Sequence, residues 1–271
     1  MTSIRLLRGA DRFRTSEPGR ETRHVFSFGP HYDPERTGFG VLVACNEDRL
    51  EPAGGYALHE HRGVEIVTWV LDGVLHHDDT FGHRAAVAPG SVQVLSAGSG
   101  VQHSERAGPH VPAHFVQMWL VTAEPVAQPT YAVADVSSAL VEGGWVAVAG
   151  GECGDAPAVS IRQPAACLQA ARLAPGAALP LPPAAAHVVH VTRGEVEMAG
   201  AGQLGAGDSV LVSGGESGGE SGGESGGVSG GVSGGVSGGV SGGESGGESP
   251  QLRAPRGAAE VLVWQLHGRH R

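Results

Sequence analysis

Three imidazoles and one carboxylate stand out in this chain: His59, His61, His103 and Glu105. They lie in two short segments, His59-Glu60-His61 and His103-Ser104-Glu105, and each segment spaces its donors two residues apart. On a β-strand, residues i and i+2 point to the same face. If both segments are extended, two strands deliver four donor groups to one point. Imidazole suits zinc, copper, iron and nickel, and a carboxylate adds a hard oxygen. Without a thiolate in the set, a closed structural zinc site is disfavoured.

Such a set leaves open positions on a metal that takes five or six ligands. It is similar to the two-histidine-one-carboxylate arrangement of non-haem Fe(II) oxygenases, with one more histidine. Other polar groups carry less. His76, His77, Asp78 and Asp79 have the composition of a metal cluster. Adjacent residues on a strand diverge, so a solvated hairpin tip is the expectation there. Ser104 beside His103 diverges for the same reason, and no Gly-x-Ser-x-Gly elbow supports a nucleophile. Gly205 to Gly207 lacks the rest of a phosphate-binding loop and reads as a turn.

The elements that must position the donors read as β. Val64 to Leu71 is rich in β-branched and aromatic residues and runs into Asp72-Gly73. Asp-Gly flanked by such runs predicts a hairpin, with Val74 to Asp78 returning. Thr80 to His83 and Pro89-Gly90 mark further turns, and Ser91 to Ser96 alternates like a strand. Ala97 to Gly100 is a loop just ahead of His103, and His114 to Thr122 is another strand. Ala165 to Leu173 is the best candidate for a short helix. Short strands closely punctuated by turns suggest a sandwich or barrel.

A weaker copy of the pattern follows. His187 to Gly194 repeats the apolar strand ending in glycine, with Glu195 to Met198 returning. Gly205 to Val212 repeats the Ala88 to Val94 pattern, and Ala259 to Leu266 closes the unit. The copy implies a duplicated β-barrel, divided here as residues 1–123 and 124–271. His187 and His190 stand three apart, which is wrong for one strand face. The second unit is therefore expected to lack a metal site. Within it, Ser213 to Ser249 is nine tandem Ser-Gly-Gly-Glu or Ser-Gly-Gly-Val tetrads and a final serine. Half glycine, such a segment gains little burial for the entropy of ordering it, so a solvated loop is expected.

The formal net charge is −10 over 271 residues, and every basic residue is arginine. An acidic chain without a basic cluster argues against direct binding to nucleic acid or to anionic membranes. No apolar run reaches the length of a membrane span, and the N-terminal stretch lacks the apolar region of a secretory signal. Cys45, Cys153 and Cys167 are odd in number and widely spaced. They are expected to be reduced, in a cytoplasmic protein.

The motifs add up to a family resemblance. His59-Glu-His-Arg-Gly-Val-Glu65, closed by Gly73, resembles the first cupin motif. Pro89-Gly90 through Ala97-Gly-Ser-Gly-Val-Gln-His-Ser-Glu105 resembles the second. More narrowly, the chain is similar to the bacterial pirin-like proteins. His24 to Phe28, Tyr32-Asp-Pro34, Gly38-Phe39, Asn46-Glu-Asp48, Gln117 and Trp119 carry that likeness. It is strong over residues 20–122 and thin beyond. What it implies is an all-β bicupin with an Fe-type metal in the first barrel, held by His59, His61, His103 and Glu105.

Fe(II) is the metal the resemblance points to; zinc, copper, nickel, cobalt and manganese stay open. The family often has proline where this chain has Glu60. Glu65 matches a ligand position in many cupins but not in pirin-like proteins, which leaves it a direct or outer role. The implied activity is oxidative ring opening of a flavonol such as quercetin. In it Glu105 would accept the substrate proton, and Trp69 would line a pocket for a flat aromatic. The alternative is a redox-responsive, non-enzymatic regulator that binds protein partners through its metal state. A monomer is expected in either case.

Overall fold

A computed structural model describes residues 2–214 and 250–267. The tetrad repeat from residue 215 onward lies outside the described residues. In chain order the first strands are β1 Ser3–Leu7, β2 Phe13–Glu17, β3 Arg20–His24, β4 Leu42–Leu50, β5 Gly55–His61, β6 Val64–Asp72, β7 Leu75–Asp79, β8 Arg84–Val87, β9 Ser91–Ser96, β10 Val101–Ala107, β11 Ala113–Val121 and β12 Thr130–Asp135. They continue as β13 Val146–Gly150, β14 Val159–Ser160, β15 Ala166–Leu173, β16 Ala178–Pro180, β17 Ala186–Arg193, β18 Glu195–Met198, β19 Gly202–Gly205, β20 Ser209–Ser213, β21 Gln251–Arg253 and β22 Ala259–Leu266. Three short 3-10 turns are the other regular elements among the described residues. No helix there is long and apolar enough to cross a membrane.

The strands form two barrels of one plan. A seven-stranded sheet in the order β12-β9-β6-β11-β4-β3-β2 faces a four-stranded sheet, β5-β10-β7-β8. A second seven-stranded sheet, β1-β20-β17-β22-β15-β13-β14, faces β16-β21-β18-β19. The fold is thus an all-β bicupin, as the motifs imply. The strand sequence β9-β6-β11-β4 in one sheet answers β20-β17-β22-β15 in the other. Division of the sheets does not fall at residue 123. β1 pairs along β20 in the second barrel, and β12 pairs along β9 in the first. Each half thus lends one edge strand to the other.

The two large sheets pack back to back. β6 is buried on both faces, which explains its unbroken apolar run. Val67, Trp69 and Leu71 point to the other barrel, where they share one apolar cluster with Leu168, Leu262 and Trp264. Trp69 Nε1 donates to Glu260 Oε1 at 3.0 Å across this interface. Ile66 and Val70 instead join the apolar clusters inside the first barrel.

Several sequence expectations change. Asp72-Gly73 is not a hairpin: β6 pairs with β9 and β11, whereas β7 pairs with β8 and β10. The turn carries the chain from the large sheet to the small one. Gly73 has φ +74°, and a Cβ there would stand 1.9 Å from the Pro112 carbonyl oxygen. Gly194 makes the same crossing with φ +72° and the same close approach, to Ala258 O. Ala165 to Leu173 is not a helix but strand β15. Its alternate residues serve the interface and the barrel interior, so apolar or small residues stand on both faces, with Gln169 and Arg172 the exceptions, and no period shows. Cys153 and Cys167 are not reduced but form a disulfide, with Cα atoms 5.7 Å apart, while Cys45 is free and buried. The loop after β13 returns against β15 and brings them together. That pairing removes the thiol argument for a cytoplasmic setting.

Candidate metal centre

The donors sit on neighbouring strands of the small sheet. β10 pairs with β5 so that His103 lies opposite His59 and Val101 opposite His61. Along β10, burial alternates residue by residue, with His103 and Glu105 on the inner face. A β-bulge then shifts the register, and Glu105 pairs with Tyr56. Two residues of β10 oppose three of β5. Both Tyr56 and His59 therefore turn inward, with ring centroids 5.9 Å apart.

The three imidazoles converge as the spacing predicts. Their ring centroids are 4.5 Å (His59 to His103), 4.7 Å (His59 to His61) and 5.0 Å (His61 to His103) apart. Each offers a nitrogen within 4.8 Å of the others. His59 Nδ1 lies 2.7 Å from the Ala57 carbonyl oxygen, an acceptor only, so Nδ1 carries the hydrogen and Nε2 is free to ligate. His103 Nε2 is buried with no hydrogen-bond partner. A buried ring nitrogen without a partner is costly in a purely structural role, and a metal ion removes the cost. Burial, and then the neighbouring imidazoles, push the pKa of His103 down to about 3 and that of His61 down to about 4. Those two rings are neutral at pH 7, the form that binds metal. These residues fit a divalent transition metal.

Glu105 is placed differently. It does not fall within the same 4.8 Å group as His59 and His61; it groups instead with His77 and His103. The carboxylate accepts from Gln93 Nε2 at 2.8 Å and from Gln117 Nε2 at 2.7 Å. Both amides have a determined orientation. Tyr131 OH donates to Gln93 Oε1 at 2.8 Å, and Trp119 Nε1 donates to Gln117 Oε1 at 3.0 Å. Each amide therefore turns its NH2 to Glu105. Gln93 was not singled out from sequence; a glutamine inside the apolar alternation of Ser91 to Ser96 is the signal.

His77 and Asp79 also move from the surface to the interior. They are 2% and 6% exposed and face inward from β7, while His76 and Asp78 face out. The expected solvated tip is half right, since alternation sends every second residue inside. Burial raises the Asp79 carboxyl, but hydrogen bonds from His83, His77 and the Phe81 N–H outweigh it and hold the pKa below the usual value.

Trp69 does not line the site, because it faces the other barrel. Besides Tyr56, the aromatic beside the imidazoles is Trp119, edge-on to His61 at 4.7 Å and to Phe28 at 5.1 Å. Glu65 is fully buried on the interface side of β6, where Ser96 Oγ donates to it, so it is not a ligand. In the second barrel, His187 and His190 face opposite sides of β17. His187 Nε2 contacts Pro182 O at 2.6 Å and His190 Nδ1 contacts Ser209 Oγ at 2.8 Å.

Fold and centre together define a two-barrel cupin whose histidine-rich donor set lies in the first barrel. The family pattern of Pirin matches residues 7–120. A Mycobacterium tuberculosis (strain ATCC 25618 / H37Rv) protein named "Putative quercetin 2,3-dioxygenase" is 40% identical over 209 residues, 77% of this chain and 86% of that protein. The chain belongs to the pirin family, within the cupin superfamily. The "Quercetin 2,3-dioxygenase" of Escherichia coli (strain K12) is 34% identical over 129 residues, 47% of this chain and 56% of that protein. Among solved structures, an Escherichia coli pirin in complex with nickel(II) superposes with a TM-score of 0.77 at 23% identity, over 97% of this chain and 99% of that one. That likeness extends the shared fold over the second barrel.

Proposed function

We propose that the protein is a metal-dependent dioxygenase acting on a flavonol such as quercetin, with His59, His61, His103 and Glu105 as ligands to an Fe-type divalent metal. The observation that carries the reading is the convergence of three imidazoles on one point, with His103 Nε2 buried and unpartnered. Relatives named as quercetin 2,3-dioxygenases support the substrate class. When bound, the metal supplies Lewis acidity toward a substrate hydroxyl and a redox centre for dioxygen. The chain's own part is positioning and proton handling.

Glu105 is the group that takes the substrate's hydroxyl proton. Gln93 Nε2 and Gln117 Nε2 each donate to one of its oxygens, so a proton arriving on one oxygen displaces that donor. Trp119, beside His61, and Phe28, packed against Trp119, offer a flat aromatic a stacking surface.

The test is metal analysis of the purified protein followed by oxygen uptake with quercetin. Wild type should carry one metal and consume oxygen, and His59→Ala should lose both. Metal retained in His59→Ala sinks the ligand assignment. Metal bound without oxygen uptake favours the alternative, a regulator that shares these ligands.

A further inference from the structure

We propose that His77 and Asp79 are positioning residues for the metal ligand His103: they select the tautomer that turns His103 Nε2 to the metal. The inference rests on the metal-binding reading above. It starts from the register of the small sheet, where β7 sets Asp79 opposite His103 and His77 opposite Glu105. His103 Nδ1 lies 3.4 Å from His77 Nδ1, and His77 Nε2 lies 3.3 Å from Asp79 Oδ2.

The direction of the chain follows from what each group is able to donate. Asp79 is an acceptor: its Oδ1 receives the backbone N–H of Phe81 at 2.9 Å and of His83 at 3.0 Å, and its Oδ2 faces the ring nitrogen of His83 at 2.8 Å. His77 must then present Nε2–H to Oδ2, which leaves His77 Nδ1 as a lone pair. His103 must in turn present Nδ1–H to His77. That leaves the lone pair of His103 on Nε2, the buried nitrogen without a partner. A histidine ligand whose far nitrogen is fixed through a carboxylate is a recurrent device for orienting rings at metals.

The rest of the packing holds this chain still. Tyr131 stacks on His77 with centroids 4.2 Å apart and an interplanar angle of 17°, and covers His83 at 5.5 Å. Its hydroxyl is engaged with Gln93. Tyr131 lies on β12, the strand lent by the second half of the chain. His59 reaches the same end by a shorter route, through the Ala57 carbonyl.

Asp79→Asn is the sharpest test. The amide oxygen keeps the two backbone hydrogen bonds at Oδ1, while an NH2 replaces Oδ2 and inverts the polarity that His77 meets. Such an exchange beside a histidine preserves geometry and selects the wrong tautomer. His77→Phe keeps a ring for Tyr131 and removes the relay. Cobalt(II) affinity, by competition with a chromophoric chelator, and the visible spectrum of the cobalt-loaded protein would be measured beside thermal unfolding of the metal-free forms.

Both variants should bind cobalt roughly 10–100-fold more weakly, with an altered spectrum and an unfolding midpoint close to wild type in the Asp79→Asn protein. Wild-type affinity and spectrum in a folded Asp79→Asn or His77→Phe protein overturn the inference while the ligand assignment stands. If wild type binds no cobalt, or His59→Ala binds as wild type does, the metal reading fails and takes this inference with it.

Discussion

In the first barrel, the inner face of the small sheet pairs Glu105 with His77 and His103 with His59. In the second, the matching positions are apolar. Counted from the equivalent glycines Gly73 and Gly194, His77 corresponds to Met198. Met198 pairs with Leu252, as His77 pairs with Glu105. Leu252 in turn faces Leu179 on β16. Met198, Leu252, Val196 and Leu204 then form one continuous apolar core. The comparison teaches that the donor set is an addition to this fold and not a condition of it. A barrel that fills those positions with Leu and Met gains burial of about 25 cal/mol per Å² of apolar surface. A barrel that fills them with His, Glu and Asp must give their polar atoms partners: Gln93 and Gln117, oriented by Tyr131 and Trp119, pair Glu105, and His103 Nε2 is left for a metal.

The comparison breaks most visibly if metal binds outside the first barrel. His103→Ala should remove bound metal and lower oxygen uptake with quercetin by more than about 100-fold, since it removes a ligand outright. His187→Ala should leave one metal per chain. Elemental analysis of the two proteins decides it, and metal lost from His187→Ala, or kept in His103→Ala, would overturn the contrast. A smaller effect tests the amide clamp. Gln117→Leu leaves Glu105 with one donor and Trp119 Nε1 without its acceptor. Turnover should fall roughly 10–100-fold while the protein stays folded. Gln265→Leu makes the matching change inside the second barrel, where Gln265 bonds to Gln169 and Pro183. It should leave turnover within error of wild type.

Much of this contrast was legible before the structure. β9 and β22 run from Ser91 to Ser96 and from Ala259 to Leu266 as alternation and β-branched content predict. The i,i+2 spacing brings His59, His61 and His103 together, because a strand leaves little choice of face within one segment. What failed needed knowledge of the partner surface. Period two says that His77 and Asp79 share a face, but not that the face is the inner one. The same rule separates Trp69 from Thr68 without saying which of them meets the other barrel. Asp72-Gly73 carries the residues of a hairpin because a sheet-to-sheet crossing also needs positive φ and no Cβ. Long-range events had no local signal at all: the Cys153–Cys167 bond and the exchange of β1 and β12 between barrels.

The interface between the barrels offers the smallest test and has its own pH signature. His190 is buried there, with Nδ1 against Ser209 and Nε2 unpaired. Burial is the largest cause that pushes its pKa from 6.5 down to about 4; the Arg12 charge adds to it, and Glu47 and Asp208 oppose it. Because the folded pKa is the lower one, the contribution to stability is intact above pH 6.5. It is lost as pH falls toward 4, where the unfolded chain takes a proton that the folded chain refuses. Asp48 works the other way: burial raises its carboxyl to about 6, so its contribution is lost as pH rises through that value. His61 and His103 share the sign of His190 but sit in the metal centre, so the measurement belongs on the metal-free protein. Between pH 7 and pH 5, His190→Gln should reduce the loss of unfolding free energy by on the order of 1–2 kcal/mol relative to wild type. Urea midpoints at the two pH values read this directly. An identical slope in both proteins would mean that the interface already hydrates or protonates His190, and that the two sheets are less tightly closed than their shared apolar cluster implies.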